Sequence, residues 1–157
     1  MRCDLEVKRP RAVFPDDIRI ETWRSELSSL FFQTYEAAFG MRPNFPGWTH
    51  DQWLAWHDVE DDGFRPEYSL LAMYGDTLVG FVMCDDEWIA QIGVHPEWCR
   101  RGIGSALIGE VLHRFQSDGR KTVILYVNRN NTRAIGVYKR AGFRFVGDHA
   151  TFVRRLT

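Results

Sequence analysis

The fold this sequence predicts is one α/β domain on a mixed, mostly antiparallel central sheet, with helices on both of its faces. Three observations predict it. Segments of helical period alternate with segments of strand period along the chain. Two adjacent apolar runs are joined by Gly75-Asp76, a pair suited to a tight hairpin because glycine accepts a positive φ. A mostly buried strand leads through a glycine-rich turn into the longest amphipathic stretch, and a β-branched strand follows it. At 157 residues the chain fits a single core, so residues 1–157 are read as one domain.

Taken in order, residues 18–23 alternate as a short strand does, and residues 25–39 carry Leu27, Leu30, Phe31, Tyr35 and Ala38 at helical spacing. The following MRPNFPG is a loop, its two prolines and glycine breaking either period, and Thr49 is placed to cap a short helix containing Trp53 and Trp56. Residues 58–67 form another loop. Residues 68–74 and 77–84 make the hairpin, and residues 88–94 a third strand that His95-Pro96-Glu97 ends, since proline cannot donate to a ladder. From Ile103, the residues Leu107, Val111 and Phe115, with Ile108 and Leu112 beside them, define a long helix that stops at Gly119. Residues 122–127 read as a strand, Asn131 as the cap of a helix through Ala141, and Gly142 as its C-terminal break. Residues 143–146 and 151–154 are candidate closing strands.

Composition narrows the function. With 45% hydrophobic residues the chain is too apolar to be disordered. Twenty basic against twenty-one acidic residues leave a net charge of -1, so no broad positive field exists for nucleic acid or an anionic membrane, and any anion site is local. Three cysteines without a CxxC pair suit neither a disulfide framework nor a zinc site; no metal is expected, and a reducing cytoplasm is the natural setting. No apolar run is long enough to span a bilayer, and MRCDLEVKRPR lacks the apolar stretch of a signal peptide.

The chemistry concentrates in Arg100, Arg101, Gly102, Ile103, Gly104 and Ser105, between a strand and a long helix. The first N–H groups of a helix have no partner within it, and its dipole adds about half a positive charge at that end. Glycines there let a phosphate approach the backbone, and the two arginines add charge at the entrance. Taken alone, the GxG reads first as a strand-to-helix turn that needs glycine for geometry. The dinucleotide fingerprint is excluded because Leu107 stands where its third glycine belongs, and the GxxxxGK[ST] loop is absent.

Downstream stands NTRAIGVYKRAGF, residues 131–143. Together with WIAQIGVHPEWCRRGIGSALI it closely resembles the GNAT superfamily of N-acetyltransferases, in which a V-x-P strand end, an R/Q-x-x-G-x-G/A loop and an N-x-x-A-x-x-x-Y…GF segment recur in this order. Cys99 departs from the pattern, where Gln or Arg is usual. The resemblance implies acetyl-CoA as co-substrate, with backbone groups of Ile92, Gly93 and Val94 along the pantetheine arm, the stretch from Arg100 to Ser105 on the pyrophosphate, and Asn131 near the reactive end. It implies direct attack by an amine on the thioester, which leaves the cysteines without a catalytic role.

Such a reaction needs an ammonium of pKa ~10 to lose a proton and gains from protonating a thiolate of pKa ~8.5. The resemblance makes Tyr138 the acid. Spacing agrees, because Asn131, Ala134 and Tyr138 share one helical face; a packing tyrosine is the alternative. Glu87 stands roughly where several family members place a base acting through water, and alternation puts it on one face with Ile89 and Gln91; a solvated strand-end carboxylate is the alternative. Asp85 and Asp86 read as a polar turn, and His95 and His57 as packing or capping residues.

By the same resemblance the acceptor amine binds beneath residues 31–57. Tyr35, Glu36, Trp48, Trp53 and Trp56 offer aromatic faces and a carboxylate to a cation there, or simply close the core. The acceptor is open among a small amine, an amino acid, an antibiotic and a protein N-terminus, and the chain is expected as a monomer or homodimer without nucleic-acid or membrane partners. Two alternatives stand beside the enzyme: an acyl-CoA-binding sensor that does not turn over, and a binding domain in which the GxG loop is only a turn.

Overall fold

The computed structural model describes residues 1–6 and 8–147. Six strands form one sheet in the order β1-β6-β5-β4-β3-β2. They are β1 (Arg2–Asp4), β2 (Ile18–Thr22), β3 (Leu70–Tyr74), β4 (Thr77–Asp85), β5 (Trp88–Val94) and β6 (Thr122–Leu125). All neighbouring pairs are antiparallel except β5 and β6, which are parallel. Parallel neighbours need a long crossover, and α3 (Ile103–Ser117) supplies it. The other helices are α1 (Ser28–Phe39), α2 (His50–Trp56) and α4 (Thr132–Arg140).

Each face of the sheet carries its own core. One buries Leu107, Val111, Leu112 and Phe115 of α3 and Tyr138 of α4 against Leu70, Val82 and Ile89. The other buries Phe31 and Tyr35 of α1 and Trp53 of α2 against Leu71, Phe81 and Met83. The heptad-like spacing of α3 is what supplies eight buried residues from one helix face.

Local chemistry fixes the ends as expected. The hairpin between β3 and β4 pairs Tyr74 with Thr77 across two residues, with Gly75 at φ +55°. Thr49 and Gln52 form a capping box at α2, Asn131 caps α4 by accepting from the Ala134 N–H at 3.2 Å, and Gly142 follows α4 at φ +97°.

Two features differ from the sequence expectation. Arg2–Asp4 is a strand, and it occupies the free edge of β6, with Cys3 and Leu5 buried beneath it. With that edge taken, residues 143–146 do not form a strand; Arg144 makes a single bridge to Arg2, exchanging both backbone hydrogen bonds at 2.9 Å. The expected strand at 151–154 lies outside the described residues. Among the described residues no helix is long and apolar enough to cross a membrane.

Candidate active site

The parallel pair β5 and β6 joins at only two positions, Trp88 with Ile124 and Ile89 with Leu125, after which the strands part. On its other edge β5 stays paired with β4 as far as Val94. The His95 N–H donates to Val79 O at 2.9 Å, which fixes the alternation: residues 93 and 95 bond towards β4, and the backbone groups of Ile92 and Val94 turn the opposite way, into the gap. Cys99 sits at this end, its Sγ 3.9 Å from Val94 O. Gly93 bonds towards β4 instead, and a Cβ there would lie 2.6 Å from Phe39 and 2.8 Å from Ala38. Glycine at 93 therefore lets α1 lie directly on the strand.

The gap opens onto the N-terminus of α3. Gly102 is the N-cap at φ +81°, and no side chain caps the helix. The Gly102 carbonyl accepts from Ala106 N–H, so the N–H groups of Ile103, Gly104 and Ser105 lie in the first turn with no helical partner. Arg100 takes φ +65°, an uncommon backbone state for a non-glycine residue, and the Arg101 guanidinium stacks on Trp98 at 4.5 Å. A Cβ on Gly104 would touch only Val94, at 3.5 Å, so protein packing does not demand this glycine. What it leaves is an open mouth lined by backbone N–H groups, the right shape and polarity for a phosphate.

Tyr138 and Asn131 approach from α4. The Tyr138 ring is buried against Phe143, at 5.9 Å between centroids, and its hydroxyl has no hydrogen-bond partner among the described residues. Burial pushes its pKa up; the Arg42 guanidinium, stacked on Phe39 at 4.1 Å, pulls it partly back. Arg42 carried no signal in the sequence, because its place depends on how the loop after α1 folds over Phe39.

Glu87 lies at the other end of β5. Its Oε2 accepts from Thr122 Oγ1 at 3.3 Å, and its carbonyl accepts from Ile124 N–H at 2.8 Å, where β5 and β6 are still paired. The single face expected for Glu87, Ile89 and Gln91 is broken by a β-bulge. Met83 pairs with Gln91 and Cys84 with Ile89, so Ala90 is an extra residue. Ile89 consequently joins the α3 core while Gln91 turns to the α1 and α2 face. The polar turn is as expected: Asp86, at φ +35°, pairs with Arg65 at 2.6 Å. Asp85 pairs with Trp88 across that turn, and its pKa is raised to about 6 by burial first and by Asp58 and Asp86 next.

On the acceptor side, Tyr35 and Trp53 are core residues at 2% and 0% exposure, while Trp56 is 48% exposed and lies 5.3 Å from Trp48. The closing-the-core reading therefore holds for Tyr35 and Trp53. His95 caps the short turn after β5, its Nδ1 accepting from Glu97 N–H at 3.2 Å.

His57 is the C-cap of α2 and is 1% exposed. Burial pushes its pKa down to about 4, against the opposing pull of its hydrogen bond with Gln91. In the unfolded chain it takes a proton below about 6.5, but in the folded chain only below about 4. Stability therefore falls as pH drops through that window, by about 2 kcal/mol at pH 5. Asp85 acts in the opposite direction, since its raised pKa lets the folded state take a proton first. H57Q removes the loss and leaves the Asp85 gain. Urea unfolding at pH 7 and pH 5 is expected to show the native chain losing stability relative to H57Q, and parallel responses would disprove a neutral buried His57.

The chain is similar to known proteins over most of its length. A mycothiol acetyltransferase of Rhodococcus erythropolis is 31% identical over 156 residues, covering 90% of this chain and 52% of its own length. The chain spans about half the length of the mycothiol acetyltransferases it matches. Among solved structures, a GCN5-related N-acetyltransferase from Sphaerobacter thermophilus superposes with a TM-score of 0.74 at 30% identity, over 90% of this chain and 45% of that one. An aminoglycoside N-acetyltransferase in complex with CoA shares the fold, with a TM-score of 0.68 at 19% identity over 88% and 95% of the two chains. The model of the acetyltransferase (GNAT) family matches residues 22–143, across the parted strands, the α3 mouth and α4 alike, and the chain belongs to that family.

Proposed function

We propose that the chain transfers an acetyl group from acetyl-CoA to a primary amine. The observation that carries this reading is the gap between β5 and β6, which leads directly to the uncapped first turn of α3. Backbone groups of Ile92 and Val94 hold an extended pantetheine arm as a neighbouring strand would. The N–H groups from Gly102 to Ser105 hold the pyrophosphate, with Arg100 and Arg101 at its entrance. Asn131 spends its Oδ1 on the α4 cap, which leaves its amide N–H2 for the reactive end. The aminoglycoside N-acetyltransferase of the same fold, solved in complex with CoA, supports CoA as the ligand. The free cysteines support a cytoplasmic setting.

Acetyl-CoA supplies an activated thioester. The ammonium first loses one proton to water; the neutral amine then forms its bond to the acetyl carbon as the carbon–sulfur bond breaks, Tyr138 gives its proton to the departing sulfur, and the second proton on nitrogen leaves through water, from which Tyr138 is reprotonated. Glu87, held at the paired end of β5, serves in this reading as a base through water. Tyr138 suits the acid role because a phenol is protonated at neutral pH and its hydroxyl has no hydrogen-bond partner among the described residues.

Thermal melting with acetyl-CoA tests the site. At a hundredfold excess over Kd the ligand stabilises by about 2.7 kcal/mol, a rise in Tm of roughly 5–11 °C for a domain this size. No shift would remove the proposal. Thiol release across a panel of amines then tests the reaction; tight binding with no release would make the chain an acyl-CoA sensor instead.

A further inference from the structure

We infer that Gln91 selects the acceptor by donating a hydrogen bond to a neutral oxygen borne one or two carbons from the attacking amine, as in amino alcohols, amino sugars and peptide N-termini. The inference rests on the transfer reaction proposed above and names its substrate class.

The orientation of Gln91 follows from its neighbours. Trp53 Nε1 lies 2.9 Å from Gln91 Oε1, and an indole nitrogen can only donate, so the atom facing it is the amide oxygen. His57 Nε2 lies 3.1 Å from the same oxygen. It must donate there as well, because an oxygen without hydrogen cannot. That fixes His57 with its proton on Nε2 and a bare Nδ1, which is buried and without a partner. Two donors fill both lone pairs of Oε1. The carboxamide is thereby pinned from two sides, by a fully buried indole and a 1% exposed imidazole.

What remains of Gln91 is its N–H2 group. It has no partner among the described residues, and Gln91 itself is only half-buried. The bulge at Ala90 puts this side chain on the α1 and α2 face, one residue before Ile92, whose backbone turns into the gap left by β6. A pinned donor thus stands on the α1 and α2 face of β5, one residue from the backbone that turns into the gap; in the proposed reaction the amine approaches from this face. Of the aromatic rings in contact around Trp53, Phe32 is only partly buried, while Trp53 and Tyr35 lie in the core. One oriented neutral donor in apolar surroundings rewards a neutral oxygen on the acceptor. It gives a plain alkylamine nothing to bond, and the donor then stays desolvated and unpaired.

The test compares matched amines with and without the oxygen, ethanolamine against n-propylamine and glycinamide against n-butylamine, in native protein and in Q91E. Glutamate is isosteric and still accepts from Trp53 and His57, but when ionised it donates nothing. With rates expressed per neutral amine, so that the different basicities of the pair cancel, the native enzyme is expected to favour the oxygenated member by roughly tenfold or more in kcat/KM. Q91E is expected to bring the ratio towards one, mainly by raising KM for the oxygenated amines, with acetyl-CoA affinity unchanged. W53F removes one of the two pins and is expected to lower the ratio in the same direction, which guards against a poorly folded Q91E. A native ratio near one, or a ratio that survives both substitutions, overturns the inference while leaving acetyl transfer intact. Absence of turnover with every amine overturns both.

Discussion

Tyr138→Phe is expected to lower kcat by about 10²–10⁴-fold while leaving the acetyl-CoA Kd and the melting temperature nearly unchanged. The prediction is sharp because the two roles open to this residue separate cleanly here. Its ring is 8% exposed and packs on Phe143, and phenylalanine keeps that packing. Its hydroxyl has no partner among the described residues, so deleting it orphans no buried donor or acceptor. Stability is therefore expected to stay within about 0.5 kcal/mol of the native value. The loss in rate comes from expelling an unprotonated thiolate, which the phenol proton otherwise prevents. Single-turnover rates at saturating acetyl-CoA, read beside the Kd, decide it. A variant with native kcat would make Tyr138 a packing residue and send the search for the acid elsewhere on α4.

The parts of this site that were legible in the sequence are those written in backbone requirements. The positive φ at Gly102 favours glycine and the mouth at Gly104 stays open because it is glycine, and the two fall in a fixed order after a strand and before a helix. Asn131 and Tyr138 fall on one turn-spaced helix face, which periodicity alone reveals. The long α3 was equally plain, since its apolar residues recur without a break. What period-two reasoning missed is the bulge at Ala90. One inserted residue turns Gln91 away from Ile89, and nothing in WIAQIGV marks which position is extra. The three residues of β1 are too few to show a period, so their pairing with β6 emerges only from the sheet. Residues 143–146 carry enough apolar character for a strand, but β1 lies between them and β6, and they meet its outer edge only in the single bridge from Arg144 to Arg2. Arg42, Trp53 and His57 gain their meaning from the loop and helix that fold over β5. Their proximity to Tyr138 and Gln91 is long-range in the chain and invisible to local pattern.

Gly104→Leu is expected to weaken acetyl-CoA binding by about a hundredfold or more and to leave the fold intact. Two facts set the direction. First, the site tolerates the side chain: Gly104 is in the first turn of α3, and a Cβ there meets only Val94 at an ordinary 3.5 Å. Leucine is also a better helix former than glycine, by up to about 1 kcal/mol, so α3 loses no stability from the exchange. Second, Cα–Cβ bonds in a helix tilt towards its N-terminus, so the leucine side chain lies over the very N–H groups that a pyrophosphate must reach. A loss of about 2.7 kcal/mol corresponds to a hundredfold in Kd, and forfeiting two charge-assisted hydrogen bonds to backbone amides reaches that figure. Calorimetric titration with CoA, beside a melt of the free protein, reads both halves. The argument also separates this position from Gly93, where a Cβ would strike Phe39 and Ala38 and damage the fold itself. Native affinity in a folded Gly104→Leu protein would mean that the α3 mouth does not hold phosphate, and the cofactor path along β5 would have to end elsewhere.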